Sequence, residues 1–358
     1  MTNENFYIDL HVLQTVPSSN INRDDSGAPK TALYGGVTRS RVSSQSWKHA
    51  MRHGFEIDNN SDGVRTKSAA KMLAEALTQK DDSLSEESSL DKAMEVFKLV
   101  GIKTDKKTGD TGALLLVSRG QIEKLAEYII ANVDIDKKEV KAVLKGSQSL
   151  DLALFGRMVA DNPELNVEGS AQVAHAISTH EVQPEFDYFT ALDDMQAEDN
   201  AGAAMLGSVI FNSSTLYRYA NLNVKELSHN VGKEATEDGV KAFIKEFILT
   251  MPTGKQNTFA NKTLPQYVMV TVRTDTPINL VSAFEEPVKS NNGYVQKSVE
   301  RLEKEYRKTS KMVEDPVLNV VLSQVDSKID QQVDNLSDLL QKIVGEVKEV
   351  ALDEDAND

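Results

Sequence analysis

Residues 34–53 read Tyr-Gly-Gly-Val-Thr-Arg-Ser-Arg-Val-Ser-Ser-Gln-Ser-Trp-Lys-His-Ala-Met-Arg-His, and they decide how the rest of the chain is read. Gly35-Gly36 frees a turn. Thr38 to Val42 then forms a strand, with β-branched residues bracketing polar ones. Ser43 or Ser44 caps a helix that carries Trp47, Ala50 and Met51 on one face, while Lys48 and Arg52, four residues apart, share the other. A helix start offers amide groups and a partial positive charge, so it suits a phosphate, and cations one turn apart extend such a site along a polyanion. The same pattern also describes an amphipathic surface helix with solvated cations.

The composition limits what this strand–turn–helix can serve. At 358 residues the chain has room for about two domains. It contains no cysteine, which excludes disulfides, thiolate catalysis and cysteine-ligated zinc. The first residues, Met-Thr-Asn-Glu-Asn-Phe, lack a basic region followed by an apolar run, and no apolar run is long enough to cross a bilayer, so no membrane association and a cytoplasmic location are expected. A net charge of −15 argues against a general nucleic-acid coat. The charge is unevenly spread, however. Residues 20–54 hold six cations (Arg23, Lys30, Arg39, Arg41, Lys48, Arg52) against Asp24 and Asp25, whereas residues 325–358 hold ten acids against three lysines. An acidic body with one basic strip suits a specific polyanion site.

Along the chain, Phe6 to Leu13 alternates as a first strand, and a polar loop at 17–32 puts Arg23 and Lys30 on a mobile arm. From 59 the period becomes helical (Ala69, Met72, Leu73, Ala76, Leu77; Leu90, Ala93, Met94, Phe97; Ile122, Leu125, Ala126, Ile129, Ile130), which marks a helical insertion to about 146. Lys103 to Gly112 reads as a hairpin-like loop and Ala113 to Val117 as a short buried segment. Leu150 to Phe155 reads as a strand, as does Val173 to Val182. Residues 181–211 contain seven acids and no Lys or Arg, with Tyr188, Phe189 and Leu192 on one flank and Met205 and Leu206 on the other. They read as a projecting hairpin that cannot bind phosphate by charge. Strands at 215–219, 267–273 and 316–323, helices at 240–248, 293–311 and 335–350, a polar loop at 253–262 and an acidic tail complete the pattern. It predicts an α+β fold, an antiparallel sheet with helices on one face in the manner of RRM-like (ferredoxin-like) folds, interrupted by two insertions. The aromatic signature with which an ordinary RRM stacks bases is not evident.

The blocks Ser18–Asp25, Leu33–Gly36 and Arg41–Arg52 resemble the CasC family, the repeated backbone subunit of the type I-E CRISPR surveillance complex, Cascade. Gly156-Arg157-Met158, Ala174–Val182, Asp187–Asp194, Tyr217–Asn221, Gly254–Gln256 and Tyr267–Val270 follow in the same order. The likeness runs from the first strand to about residue 300. It implies a palm at 1–58, helical fingers at 59–165, a palm strand at 166–180, a thumb hairpin at 181–211, the rest of the palm at 212–334, and a C-terminal helix and tail at 335–358. It also implies a non-catalytic subunit in antiviral defence that binds CRISPR RNA, repeats head to tail along it, and presents it to target DNA beside other Cascade subunits. Phosphate contacts are expected from Arg23, Lys30, Arg41, Ser43, Gln45, Lys48, Arg52 and Lys255. By resemblance, Met158, Tyr188, Phe189, Thr190 and Leu206 lie at displaced or stacked bases, and Arg157 beside Met158 is counted among the RNA-binding residues. No cofactor or metal is implied.

Other chemistry was weighed on the residues themselves. Gly254-Lys255 lacks the upstream glycine spacing and the following hydroxyl of a phosphate loop. His175 and His180 lie close in sequence, but odd spacing on a strand sets them on opposite faces. Asp24-Asp25 is the only acidic pair in the basic arm. It either holds Arg23 by a salt bridge or, as in backbone subunits of related type III complexes, supplies a metal-dependent target-RNA-cleaving aspartate. Self-assembly through the hairpin without RNA is the third reading.

Overall fold

A computed structural model describes residues 6–146, 148–159, 162–191 and 205–348. It shows an α+β protein whose contacts divide into two units, with the division falling inside the helix Ser44–Ile57. The described residues of the first unit are 6–51, 173–191, 205–221 and 243–348; those of the second lie within 52–172 and 222–242. Residues 192–204, which include Leu192 and Asp193 of the expected hairpin, and residues 349–358 of the expected acidic tail lie outside the described residues.

The first unit is built on a large sheet. Its strands run in the order Gln332–Val333, Leu318–Ser323, Tyr267–Arg273, Tyr7–Ser19, Met205–Asn223, Ala176–Ser178, Val37–Val42, Thr31–Tyr34. Tyr7–Ser19 and Tyr267–Arg273 pair antiparallel from Tyr7 opposite Arg273 to Leu13 opposite Tyr267. Tyr267–Arg273, expected as an alternating strand, is buried along its whole length, so both of its faces are covered. One core packs Leu13, Tyr217, Tyr267 and Met269 against Leu280, Phe284, Val299 and Leu302. Arg218 is fully buried. Its guanidinium lies 3.8 Å from the ring centre of Trp47 and 4.6 Å from that of Phe247, and it donates to Gln14 Oε1 at 2.5 Å and to the carbonyl of Phe247. Burial pulls its pKa down to about 9, and the two aromatic faces offset part of that desolvation. Trp47 is thereby fixed, and with it the Ser44–Ile57 helix.

Three sequence expectations change here. The first strand does not stop at Leu13 but continues to Ser19, so the arm is shorter than a 17–32 loop. The return strand of the hairpin and the strand expected at 215–219 are one element, Met205–Asn223. Glu185–Ala191 pairs with its first part from Glu185 opposite Phe211 to Ala191 opposite Met205, so the hairpin extends from a central strand of the sheet. Val173 to Val182 is two short strands, Ala171–Val173 and Ala176–Ser178, interrupted at Ala174 and His175.

The second unit is helical, as the period predicts. Ala69–Lys80, Glu86–Leu99, Arg119–Ala131 and Lys137–Lys145 enclose a core of Leu73, Leu77, Phe97, Leu125, Ala126 and Val140. Ser118 caps the third of these with a full capping box, in which its hydroxyl accepts from Gln121 N–H and the Gln121 side chain accepts from Ser118 N–H. A two-stranded sheet, Gly63–Thr66 with Leu115–Ser118, braces it. Leu150–Phe155 is a helix, not a strand. Ser149 stands at its N-cap position, Gly156 ends it at φ +73°, and residues 151–154 are all buried, so the alternation that suggests a strand reports burial on every side.

Candidate nucleic-acid interface

In the first unit the arm is pinned rather than mobile. Asn20 Nδ2 donates to the carbonyls of Gly27 and Ile210 at 2.8 and 2.9 Å. Lys30 N–H donates to Asn22 O at 2.8 Å, and Ser43 N–H donates to Asn22 Oδ1, also at 2.8 Å. Asp24 Oδ1 accepts from Ser26 N–H, Ser26 Oγ and Ala28 N–H, a turn that holds its pKa below the usual carboxylate range, with the Ser26 hydroxyl as the largest cause. Asp24 therefore braces its own loop. Among the described residues no ion pair joins it or Asp25 to Arg23, which corrects the salt-bridge expectation. Gly254 fits against this arm so closely that a Cβ there would stand 2.4 Å from Ile21 O, and this contact sets the exposed Lys255 beside the arm at φ +53°.

The sheet register and the helix complete the site. Val37–Val42 pairs with Ala176–Ser178, with Arg41 opposite Ile177 and Val42 opposite Ala176, so the strand enters the helix opposite His175. Arg41 is half-buried, and its Nε donates to Thr31 O at 3.1 Å. Ser43 is buried as the helix cap, its Oγ accepting from Ser46 N–H at 3.4 Å. Gln45 is exposed, and the half-buried Lys48 has its pKa lowered by burial. Arg23 is exposed and Lys30 half-buried. Arg23, Lys30, Arg41, Ser43, Gln45, Lys48 and Lys255 thus gather on the arm, the adjoining strand and the helix start.

Arg39, counted in the same basic strip, is not at this surface. It is fully buried and donates to the carbonyls of Tyr34, Ser178, Phe284 and Glu285. The helix start is also less open than its sequence suggests: Ser43 N–H is taken by Asn22, and Ser44 N–H by His175 Nδ1 at 3.2 Å. Sequence reasoning weighed His175 only as a metal ligand. The register that places it at the helix cap is the signal it lacked.

On the hairpin, Tyr188 and Thr190 are exposed on one face, together with Phe186. Phe189 lies on the other face over Gly207, where a Cβ would meet its ring at 2.4 Å, so the glycine makes room for the aromatic. Leu206 pairs with Thr190 in the ladder, and its side chain lies outside the described residues.

In the second unit the expected residues divide sharply. Met158 is 83% exposed. Arg157 beside it is buried, donating to the carbonyls of Leu116, Leu144 and Leu165, and burial lowers its pKa to about 10. Its guanidinium is engaged by three carbonyls, whereas the neighbouring Met158 is left at the surface. Arg52 likewise is spent inside the fold, its Nε donating to Asp151 Oδ2 at 2.6 Å. Both guanidinium groups are thus engaged by acceptors inside the fold. Conversely, Lys137, Lys141 and Lys145 stand one turn apart along the helix Lys137–Lys145. Lys141, paired with Glu164, has its pKa lowered by burial and by both neighbouring lysines. The i, i+4, i+8 spacing was the available signal for that row. Among the described residues, no group of three or more His, Asp or Glu is arranged to hold a metal.

A chain of a CRISPR RNA-guided surveillance complex, pre-nicking, is 32% identical with a TM-score of 0.85, the match covering 95% of this chain and 99% of that one. A chain of another CRISPR RNA-guided surveillance complex is 27% identical with a TM-score of 0.75, at the same 95% and 99% coverage. The CT1975-like protein family model matches residues 8–346, and the chain belongs to that family. No curated protein matches.

Proposed function

We propose that this chain is a guide-binding backbone subunit of a CRISPR surveillance complex of the type I-E kind. It holds CRISPR RNA by its phosphates, repeats head to tail along it beside other Cascade subunits, and presents its bases to target DNA. The observation that carries this reading is the gathering of Arg23, Lys30, Arg41, Gln45, Lys48 and Lys255 on a pinned arm and helix start in a chain of net charge −15. Phosphate contacts fix position without reading sequence, and that is what a subunit indifferent to guide sequence needs. The exposed Met158 and the hairpin aromatics supply apolar and stacking surfaces where charge is absent or negative. The acidic hairpin of one copy complements the basic arm of the next, and such a heterologous contact extends along a polymer. The lysine row at 137, 141 and 145 suits a second phosphate backbone, that of the target DNA.

The role proposed is non-catalytic. Asp24 Oδ1 is engaged by three donors within its own turn, a bracing role that supports this reading. The ratio of absorbance at 260 and 280 nm, measured after purification with and without a co-expressed guide, tests the function. A nucleic-acid-rich complex only with the guide supports it, and protein free of RNA in both preparations contradicts it.

A further inference from the structure

Resting on that reading, we propose that His175 is a positioning residue of the guide-backbone interface, acting through Ser44 and Arg41 by offering its Nδ1 as the acceptor that ends the Ser44–Ile57 helix. His175 sits in the interruption between Ala171–Val173 and Ala176–Ser178, directly across from the point where strand becomes helix. Its Nδ1 lies 3.2 Å from Ser44 N and 3.5 Å from Arg41 Nη1. An amide can donate only to an unprotonated nitrogen, so the ring is neutral with its proton on Nε2. The surroundings agree. Partial burial, then the charges of Arg41 and Lys30, hold its pKa below the ordinary imidazole value. The histidine is thus a neutral acceptor placed among cations.

Its effect on binding is geometric. Ser43 N–H is held by Asn22 from the arm and Ser44 N–H by His175 from the sheet. The two acceptors hold consecutive amides of the helix start, and Arg41 Nη1 lies 3.5 Å from the same imidazole nitrogen. Without it, Ser44 N–H turns to water and Arg41 gains rotamer freedom that must be lost again when a phosphate binds.

The acceptor's position gives a discriminating test. The amide of an asparagine reaches the Nδ1 position of a histidine, and that of a glutamine reaches the Nε2 position. Full-length His175→Asn, His175→Gln and His175→Ala would be purified, their thermal midpoints measured, and their affinity for a CRISPR RNA compared with wild type. The expected result is a loss of about five- to tenfold for His175→Gln and His175→Ala, the scale of a lost helix cap, with His175→Asn within about twofold of wild type at comparable thermal midpoints. Retention by His175→Gln with loss in His175→Asn would overturn the proposal in favour of direct donation from Nε2. Equal affinity in all four proteins, or equal loss in all three variants, would overturn it outright. A wild-type chain that fails to bind RNA would overturn the functional reading and this inference together, whereas variant equality on a wild type that binds overturns the inference alone.

Discussion

Arg52 Nε donates to Asp151 Oδ2 at 2.6 Å, and the carboxylate it meets is buried, its other oxygen accepting from the hydroxyls of Ser61 and Ser149, each also at 2.6 Å. The cation is part of the second unit's framework. Removing it strands a buried carboxylate. Arg52→Ala should therefore destabilise the chain by about 1–3 kcal/mol, less than a fully buried pair because Arg52 is partly exposed. Urea unfolding measures this. Lys48→Ala should weaken guide affinity and flatten its salt dependence by about 0.7 log units for the lost contact. An unchanged salt slope for Lys48→Ala, or an unchanged urea midpoint for Arg52→Ala, would reverse these assignments.

Gly35 has φ +59°, and a methyl there would stand 1.6 Å from Glu285 O, one of the carbonyls that hold Arg39. Gly35→Ala should cost about 2–4 kcal/mol from backbone strain and forced separation of the turn. A thermal midpoint equal to wild type would show that the turn relaxes freely.

A buried pair of titratable groups on the first strand gives a pH signature. Tyr219 OH donates to Asp9 Oδ1 at 2.7 Å and Ile278 N–H donates to Oδ2 at 3.0 Å, yet burial dominates and pushes the Asp9 carboxyl from 3.8 up to about 7. A carboxyl raised in the fold stabilises it at pH below its unfolded value, and that stability is lost as pH rises through about 7. His11, whose Nδ1 lies 2.9 Å from Tyr217 OH, is pushed by burial, then by Arg273, from 6.5 down to about 3. Its contribution is present above 6.5 and lost as pH falls toward 3. The two oppose each other across the acidic range. Asp9→Asn should therefore lose stability relative to wild type progressively as pH is lowered from about 8 to 4.5, exposing the His11 dependence. Urea midpoints for both proteins across this range check it; a difference independent of pH would mean that Asp9 is already ionised in the fold.

Asp24→Asn keeps an oxygen that can accept from Ser26 and Ala28, so the arm should stay closed. Guide binding should be retained, and neither the variant nor wild type should cut RNA complementary to the guide in magnesium or manganese. Guide-dependent cleavage by wild type that disappears in Asp24→Asn or Asp25→Asn would establish a metal-dependent ribonuclease instead.

The sequence made the α+β class, the helical insertion and the hairpin legible, because each carries a period or charge pattern that burial imposes locally. It failed where a residue's role depends on a distant partner. Nothing near Arg52 announces Asp151, and nothing near Arg157 announces the carbonyls of Leu116 and Leu144, so both cations read as surface groups. Leu150–Phe155 reads as a strand because a six-residue helix with four consecutive buried residues is too short to show a helical period. The arm's closure by Asn20 and Asn22 and the capping role of His175 depend on strand register, which a single chain read linearly does not reveal.

In the proposed function, copies of this chain line up along a guide. This is tested most directly by reconstituting purified chain on CRISPR RNAs of increasing length and weighing the complexes by native mass spectrometry. Copy number should rise in regular steps as the RNA lengthens, each step requiring the same added number of nucleotides regardless of sequence. One copy per RNA at every length, or the same oligomer with and without RNA, would contradict the proposal.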